Sequence, residues 1–414
     1  MCDHGPCADS SGSAQGTRPC LELADIVRVY RSAYEQQHIL TPTECAVLDA
    51  VERCRTAALG GHVNVCRRCG FVSDPSFNSC HNRHCPKCPA VAQAKWIAGR
   101  LERVLPTHYF HVVFTLPAQL RGLTRANPKL VYDLLLRCAA ETMLELGQDP
   151  ARLGGELGVT MVLHTWNQKL EFHPHIHGIA TGGALSPDGQ QWLSTRPNFL
   201  FPVRVMGKLF RGKLLDALRC AQRTGQLRVD DSARFAARLA SLYRKRWCVY
   251  CKRPFGGAEQ VIQYLGQYTH RVALSNHRLV AMDDRGVTFR TKTAELVTLD
   301  GVAFLGRWLC HILPPHFRKI RHYGLLSPRH ATSRLELARR LLLPTTTNSP
   351  IPTPTAIAPE NPSTSNLRTA RWREVIRILT GIDLNACPCC GAHAVERRPL
   401  PRALTCARAP PRAT

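Results

Sequence analysis

This 414-residue sequence is short of acidic residues: 30 Asp and Glu stand against 55 Lys and Arg, leaving a formal net charge of +25. A surface with that deficit suits a partner that carries phosphates, and a nucleic acid is the expected one; arginine enrichment from genome base composition is the bland alternative. No stretch approaches 18 uninterrupted apolar residues, so no membrane-spanning helix and no membrane partner are expected. The first residues, Met1-Cys2-Asp3-His4-Gly5-Pro6, lack a basic segment followed by an apolar one, which argues against a secretory leader. A cytoplasmic, nucleoid-associated protein is therefore expected. Internal repeats are absent, and strands and helices intermix without a recurring βαβ signature, so an α+β fold with an antiparallel sheet is expected.

Cysteine, by contrast, is plentiful. In a reducing compartment 19 cysteines point to metal before disulfides. Cys66-Arg67-Arg68-Cys69 and Cys85-Pro86-Lys87-Cys88 are two Cys-x-x-Cys knuckles fifteen residues apart, the spacing of a structural zinc ribbon with four thiolates at tetrahedral corners. Cys54, His62, Cys80 and His84 would suffice for a second zinc ion, although His81 and His84 could instead contact DNA or cap local backbone. Cys248 and Cys251 lie in an apolar strand pattern and read as structural. Cys387 and Cys390 look like half a knuckle, with His393 and Cys406 as the partners within reach of sequence.

With 44% hydrophobic residues the chain can bury two or three cores. Residues 1–19 are Ser/Gly-rich and expected to be disordered. A helical zinc-binding domain is expected over 20–105, opening with an amphipathic helix at 21–30 and a second started by Thr41-Pro42. A catalytic domain follows over 106–330. Its expected strands are 109–116, 160–166 and 175–181, the last two antiparallel across the turn Asn167 to Pro174, with later strands at 278–283, 286–292 and 294–299. Residues 331–370 read as a Pro/Thr/Ser-rich linker, densest from Pro344, and 371–414 as a helix with a Cys-rich tail.

Two short runs carry the chemistry. In His173-Pro174-His175-Ile176-His177 a strand sends alternate residues to one face, so His175 and His177 stand about 6.6 Å apart along the backbone and can close on one metal ion while Ile176 faces the core. In Gln263-Tyr264-Leu265-Gly266-Gln267-Tyr268 a helix stacks Tyr264 and Tyr268 one turn apart. A divalent ion held by imidazoles polarises a phosphate, and a tyrosine oxygen can attack it in line to give a phosphotyrosine ester that conserves the energy of the broken bond. A second tyrosine permits a second strand transfer. Taken singly, a His-x-His or a Tyr-x-x-x-Tyr is usually packing; together, in a basic chain, they favour nicking and rejoining of single-stranded DNA. A non-catalytic zinc-dependent DNA-binding regulator is the competing class, and a replication initiator or relaxase shares the chemistry.

These runs, with Asn78-Ser79-Cys80-His81-Asn82-Arg83-His84-Cys85-Pro86-Lys87-Cys88 and Ile320-Arg321-His322-Tyr323-Gly324, resemble the two-tyrosine transposases of rolling-circle insertion sequences, within the HUH (histidine-hydrophobic-histidine) endonuclease superfamily. The resemblance implies a central antiparallel sheet flanked by helices, His175 and His177 as ligands of a catalytic Mg²⁺ or Mn²⁺, Tyr264 and Tyr268 as nucleophiles, and single-stranded DNA at the ends of a mobile element and its target as partner. It also implies a zinc module that helps recognise that DNA, and a third, polar metal ligand. Gln168 is the expected one, with Glu171 and Gln267 as rivals. Lys169, Lys252, Arg253, Arg271 and Arg278 are the expected phosphate contacts.

Overall fold

The computed structural model describes residues 20–101, 103–252, 273–330, 333–343 and 383–403, together with Glu374, Arg377 and Gly381. The tyrosine run lies outside these residues, and with it Tyr264, Tyr268, Gln267, Arg253 and Arg271; so does Cys406.

Helix α1 (Leu23–Gln37) starts with a reciprocal box in which Glu22 and Asp25 satisfy each other's backbone N–H groups. In α2 (Pro42–Arg53) Pro42 fills the first turn, and Thr41 and Glu44 form a second such box. Strands β1 (Gly61–Cys66) and β2 (Ser76–Phe77) follow, then α3 (Ala90–Leu101). The central part runs β3 (Tyr109–Thr115), α4 (Arg121–Ala126), α5 (Pro128–Gln148), β4 (Glu156–Trp166), β5 (Phe172–Leu185), β6 (Trp192–Ser194), α6 (Val203–Arg223), α7 (Ser232–Arg244) and β7 (Val249–Lys252). Beyond the tyrosine run come β8 (Leu279–Asp283), β9 (Gly286–Arg290), β10 (Leu296–Leu299), α8 (Gly301–Leu309), β11 (Ile320–Gly324), α9 (Arg334–Leu342) and β12 (Val395–Leu400).

The main sheet is antiparallel in the order β11-β4-β5-β3-β7, with β6 paired to the far end of β5. Its two faces separate by the period of two. Phe110, Val112 and Phe114 of β3, Val159, Met161 and Leu163 of β4, and Ile176 and Ala180 of β5 point to one side, where they form a single core with α5, α6 and α7. The other face carries Tyr109, Val162 and Ile179 under Trp96 and Val104 at one end and histidines at the other. The α+β class and the antiparallel arrangement expected from sequence are present.

A second core joins segments that the sequence assigns to different domains. Leu23, Ile26 and Val27 of α1 and Leu48 and Val51 of α2 pack with Phe289 of β9 and with Phe304, Leu305 and Trp308 of α8. Gly301 faces the Tyr30 ring so closely that a Cβ there would lie 2.2 Å from it, so glycine is what lets α8 lie against α1. Segment 279–309 therefore buries its apolar side on the N-terminal helices, and a boundary at 105 does not divide the packing. The linker expected from 331 also starts too early: Leu335 and Ala338 of α9 are buried against Leu105, Leu185 and Leu325. Among the described residues no helix is long and apolar enough to cross a membrane.

Candidate functional site

The pairing register of β3, β4 and β5 places the site. His175 stands directly across from His164 on β4 and Thr115 on β3, and His177 across from Val162 and Val113. Directly opposed residues share a face, so His164 joins His175 and His177 there. One ring nitrogen of each of the three lies within 4.8 Å of the others. The Nε2 atoms of His175 and His177 are 3.0 Å apart, and nitrogens in adjacent positions of an octahedral ion, with bonds of about 2.1 Å, are separated by about 3.0 Å. The donor set fits a divalent ion.

Neighbouring groups orient these rings. Nδ1 of His175 lies 2.7 Å from the carbonyl oxygen of His173, which can only accept, so Nδ1 carries the proton and Nε2 keeps its lone pair. His177 meets Nε2 of His111, on β3, through its own Nδ1 at 2.8 Å, with the two rings parallel at 5.1 Å between centroids. His164 stacks on Trp166 at 4.7 Å. Burial pushes both His111 and His175 down to about 4 and His177 well below the ordinary imidazole range. Neutral imidazoles are the form that ligates metal. Cations surround them: Lys252 stands across from His111 on β7 and Lys292 lies near enough to depress His177. Arg121 reaches Nδ1 of His173 at 3.0 Å.

Gln168 is not part of this cluster. Asn167 accepts the backbone N–H groups of Lys169 and Glu171 through Oδ1, and the turn so formed sets Leu170 at a positive φ of 59° with its side chain in the second core. Gln168 is thereby left exposed, its Oε1 accepting from the Lys292 backbone at 3.2 Å. Glu171, the rival, is exposed and accepts from the Asn167 amide at 2.6 Å. The sequence reading missed His164 and His111, although counting β4 against β5 across the expected turn pairs Trp166 with His175 and so His164 with His177, which already puts His164 on the histidine face; the observed register is shifted by two, to His164 opposite His175. Of the expected phosphate contacts, Lys252 lies beside the histidines. Lys169 pairs with Glu295 at 2.7 Å, and Arg278 donates to the carbonyls of Arg290 and Gln168, tying the 167–170 turn to β9.

The thiols partition differently from the sequence expectation. Cys85 and Cys88 gather with Cys54 and Cys80, and Cys66 and Cys69 with Cys387 and Cys390, each set having its sulfur atoms within 4.8 Å of one another. The physical reason is that β1 carries Cys66 away from the segment 80–88 and pairs along its whole length with β12. The half-knuckle at 387 thus finds its partners at Cys66 and Cys69, and His393 lies 3.8 Å from Asp383. His62 sits on β1 opposite Ser76 and Pro399, outside both sets. His84 is buried, with Nε2 accepting from the Leu313 N–H at 3.1 Å; burial pushes it down to about 3. It links the thiolate segment to the chain after α8. Cys248 is exposed and Cys251 half-buried, in neither set.

Residues 26–116 match the family model described as "Transposase zinc-binding domain", and residues 158–334 the one described as "Putative transposase". The protein named "Putative transposase y4qJ" of Sinorhizobium fredii (strain NBRC 101917 / NGR234) is 42% identical over 384 residues, which cover 89% of this chain and 92% of that protein. The "Transposase for insertion sequence element IS801" of Pseudomonas savastanoi pv. phaseolicola is 29% identical over 279 residues, 63% of this chain and 65% of that protein. No solved structure matches. The zinc-binding match and the thiol clusters together support structural zinc.

Proposed function

The chain belongs to the two-tyrosine transposases of insertion sequences, whose partner is DNA, and from that premise we propose that it nicks and rejoins single-stranded DNA at mobile-element ends through a 5′-phosphotyrosine, with a divalent ion on His164, His175 and His177. The observation that carries the reading is the convergence of three imidazoles on one face of the sheet, two of them with Nε2 atoms 3.0 Å apart. Mg²⁺ or Mn²⁺ bound there would polarise the scissile phosphate and stabilise charge on its oxygens. His173 and His111 hold the ligating rings in their tautomers. Lys252, Lys292 and Arg121 offer positive charge along the backbone of an incoming strand.

Tyr264 and Tyr268 supply the nucleophiles in this reading. The phenolic oxygen bonds to phosphorus, the bond to the 3′ oxygen breaks, and the 3′ oxygen leaves as a hydroxyl after taking a proton. A free 3′-hydroxyl attacking the phosphotyrosine reverses these changes and joins a new strand without ATP. The second tyrosine accepts a second strand while the first is occupied, the requirement of a rolling-circle transfer. Cys54, Cys80, Cys85 and Cys88 hold the structural zinc of the N-terminal region, with sulfur separations of 3.5 Å for Cys54–Cys88 and 3.6 Å for Cys80–Cys88.

The test incubates protein and Mn²⁺ with labelled single strands carrying the element's ends. A covalent adduct that resists denaturation, and that disappears in the Tyr264→Phe, Tyr268→Phe double variant, is the expected result. Binding without an adduct in the parent protein would replace this reading with a DNA-binding regulator.

A further inference from the structure

We propose that Cys66, Cys69, Cys387 and Cys390 hold a second structural zinc ion, which clasps the C-terminal tail onto β1. The first argument is metric. Thiolates around zinc at a bond length of about 2.3 Å form a tetrahedron with edges of about 3.8 Å. Cys66 and Cys390 have their sulfur atoms 3.7 Å apart, and so do Cys69 and Cys387. A disulfide would bring them to about 2.05 Å. Each pair that meets takes one sulfur from each end of the chain.

The second argument is that the two halves repeat one backbone design. The N–H of Cys66 bonds to the carbonyl of Phe71 at 2.8 Å, and that of Gly70 to the carbonyl of Cys66 at 3.0 Å. At the other end the N–H of Cys387 bonds to the carbonyl of Ala392 at 3.0 Å, and that of Gly391 to the carbonyl of Cys387 at 2.8 Å. Gly70 and Gly391 both take a left-handed φ, 75° and 69°, which an L side chain adopts only with strain. Two Cys-x-x-Cys-Gly knuckles with the same turn, facing each other, are the two halves of a zinc ribbon. Half of the ribbon lies more than 300 residues along the chain from the other.

The third argument is what would otherwise hold the tail. Strand β12 pairs with β1 from Gly61–Leu400 to Cys66–Val395, but all six of its residues are exposed or half-buried. Cys54 and Cys85 are part of the apolar core of α1, α2 and α8, whereas Cys66 and Cys387 are buried without belonging to it. On its other side β1 has only the two-residue β2, and so small a sheet is marginal in water. Zinc supplies the missing cohesion, and its loss frees the tail while the N-terminal core stays folded. The inference is independent of the nuclease reading.

Zinc content of the purified full chain, measured by mass spectrometry under native and under digesting conditions, tests the clasp. Two ions per chain are expected for the parent and for Cys389→Ser, whose exposed thiol lies outside the cluster. One ion is expected for the Cys387→Ser, Cys390→Ser double variant and one for Cys66→Ser, Cys69→Ser. A parent with a single zinc, or a Cys387/Cys390 variant that keeps two, overturns the proposal. A second measurement does not depend on the variants folding equally well. A specific protease site placed within 344–373 lets the full chain be cut, and the tail fragment should co-elute with the body until a zinc chelator is added. Release before chelation, or retention after all zinc is gone, overturns it as well.

Discussion

The histidine cluster and the thiol clusters are both candidate metal sites, yet they are assembled on different scales. His164, His175 and His177 come from two adjacent strands joined by one turn, and pleat direction alone puts them on a common face. The sulfur atoms at Cys66 and Cys69 meet partners 324 and 318 residues further along the chain. Periodicity fixes which way a side chain points, and it does so wherever an element is regular. It does not fix which distant segment arrives to complete a half-site. The histidine site should therefore be sensitive to single ligands and indifferent to the tail, and the thiol sites should differ from each other according to the core behind them.

The largest effect is expected at the histidines. His175→Ala or His164→Ala removes a ligand whose metal stabilises transition-state charge by several kcal/mol, and should lower the rate of adduct formation by about 10³-fold. His111→Ala leaves all three ligands and disturbs only the orientation of His177, so a loss of about 10–100-fold is expected. The thermal midpoint of each variant should stay close to that of the parent. If His164→Ala cleaves at the parental rate, the third ligand is not on β4.

Next in size is a difference between the thiol sets. Cys85→Ser opens a site embedded in the core of α1, α2 and α8 and should lower the unfolding midpoint by on the order of 10 °C. Cys390→Ser affects only the tail, and a shift of at most a few degrees is expected by calorimetry. Equal shifts would mean that the two clusters share one cooperative unit.

A smaller effect comes from buried histidines that ligate nothing. His311 is pushed by burial down to about 4, and His84 and His322 to about 3. His322 is held neutral between Arg100, which donates to its Nε2 at 2.9 Å, and the Thr160 hydroxyl at 2.9 Å from Nδ1. In the unfolded chain these rings titrate near 6.5, so between about 6.5 and 4 the unfolded state binds more protons than the folded one. Stability is full above that window and falls as the pH drops through it. The unfolding midpoint should decline over this range in zinc-replete buffer, and His322→Asn should flatten the decline. A midpoint independent of pH from 7 to 4 would contradict the neutral, buried assignment.

Much of this was legible beforehand, for identifiable reasons. Strands β3, β4 and β5 announce themselves as apolar runs, and His175 and His177 follow from strand period alone. The helix start at Thr41-Pro42 and the strands at 278–283 and 286–292 rest on local chemistry, and both α2 and the β8–β9 pair form where expected. What was not legible is long-range. The spacing of Cys66, Cys69, Cys85 and Cys88 is that of one ribbon, and only the strand pairing of β1 with β12 separates them into two sites. Likewise nothing in the pattern of α1 says that its apolar face is completed by Phe304 and Trp308. Helix α9 was hidden by its nearness to a proline-rich stretch.

The smallest effect is expected at Gln168, where the comparison is sharpest because an amide was the natural polar ligand to look for. Its side chain bonds to the backbone of Lys292, its carbonyl to Arg278, and the turn that carries it is pinned by Asn167 and by Leu170 in the core. Gln168→Ala removes one exposed hydrogen bond, worth about 1 kcal/mol at most, and leaves the three imidazoles in place. Adduct formation should change by less than about twofold, and its dependence on Mn²⁺ concentration should not move, since a non-ligand contributes nothing to the metal's affinity. A rise of about tenfold in the Mn²⁺ needed for half-maximal cleavage would instead show that the 167–170 turn swings inward when metal binds, and that the sheet face alone does not complete the site.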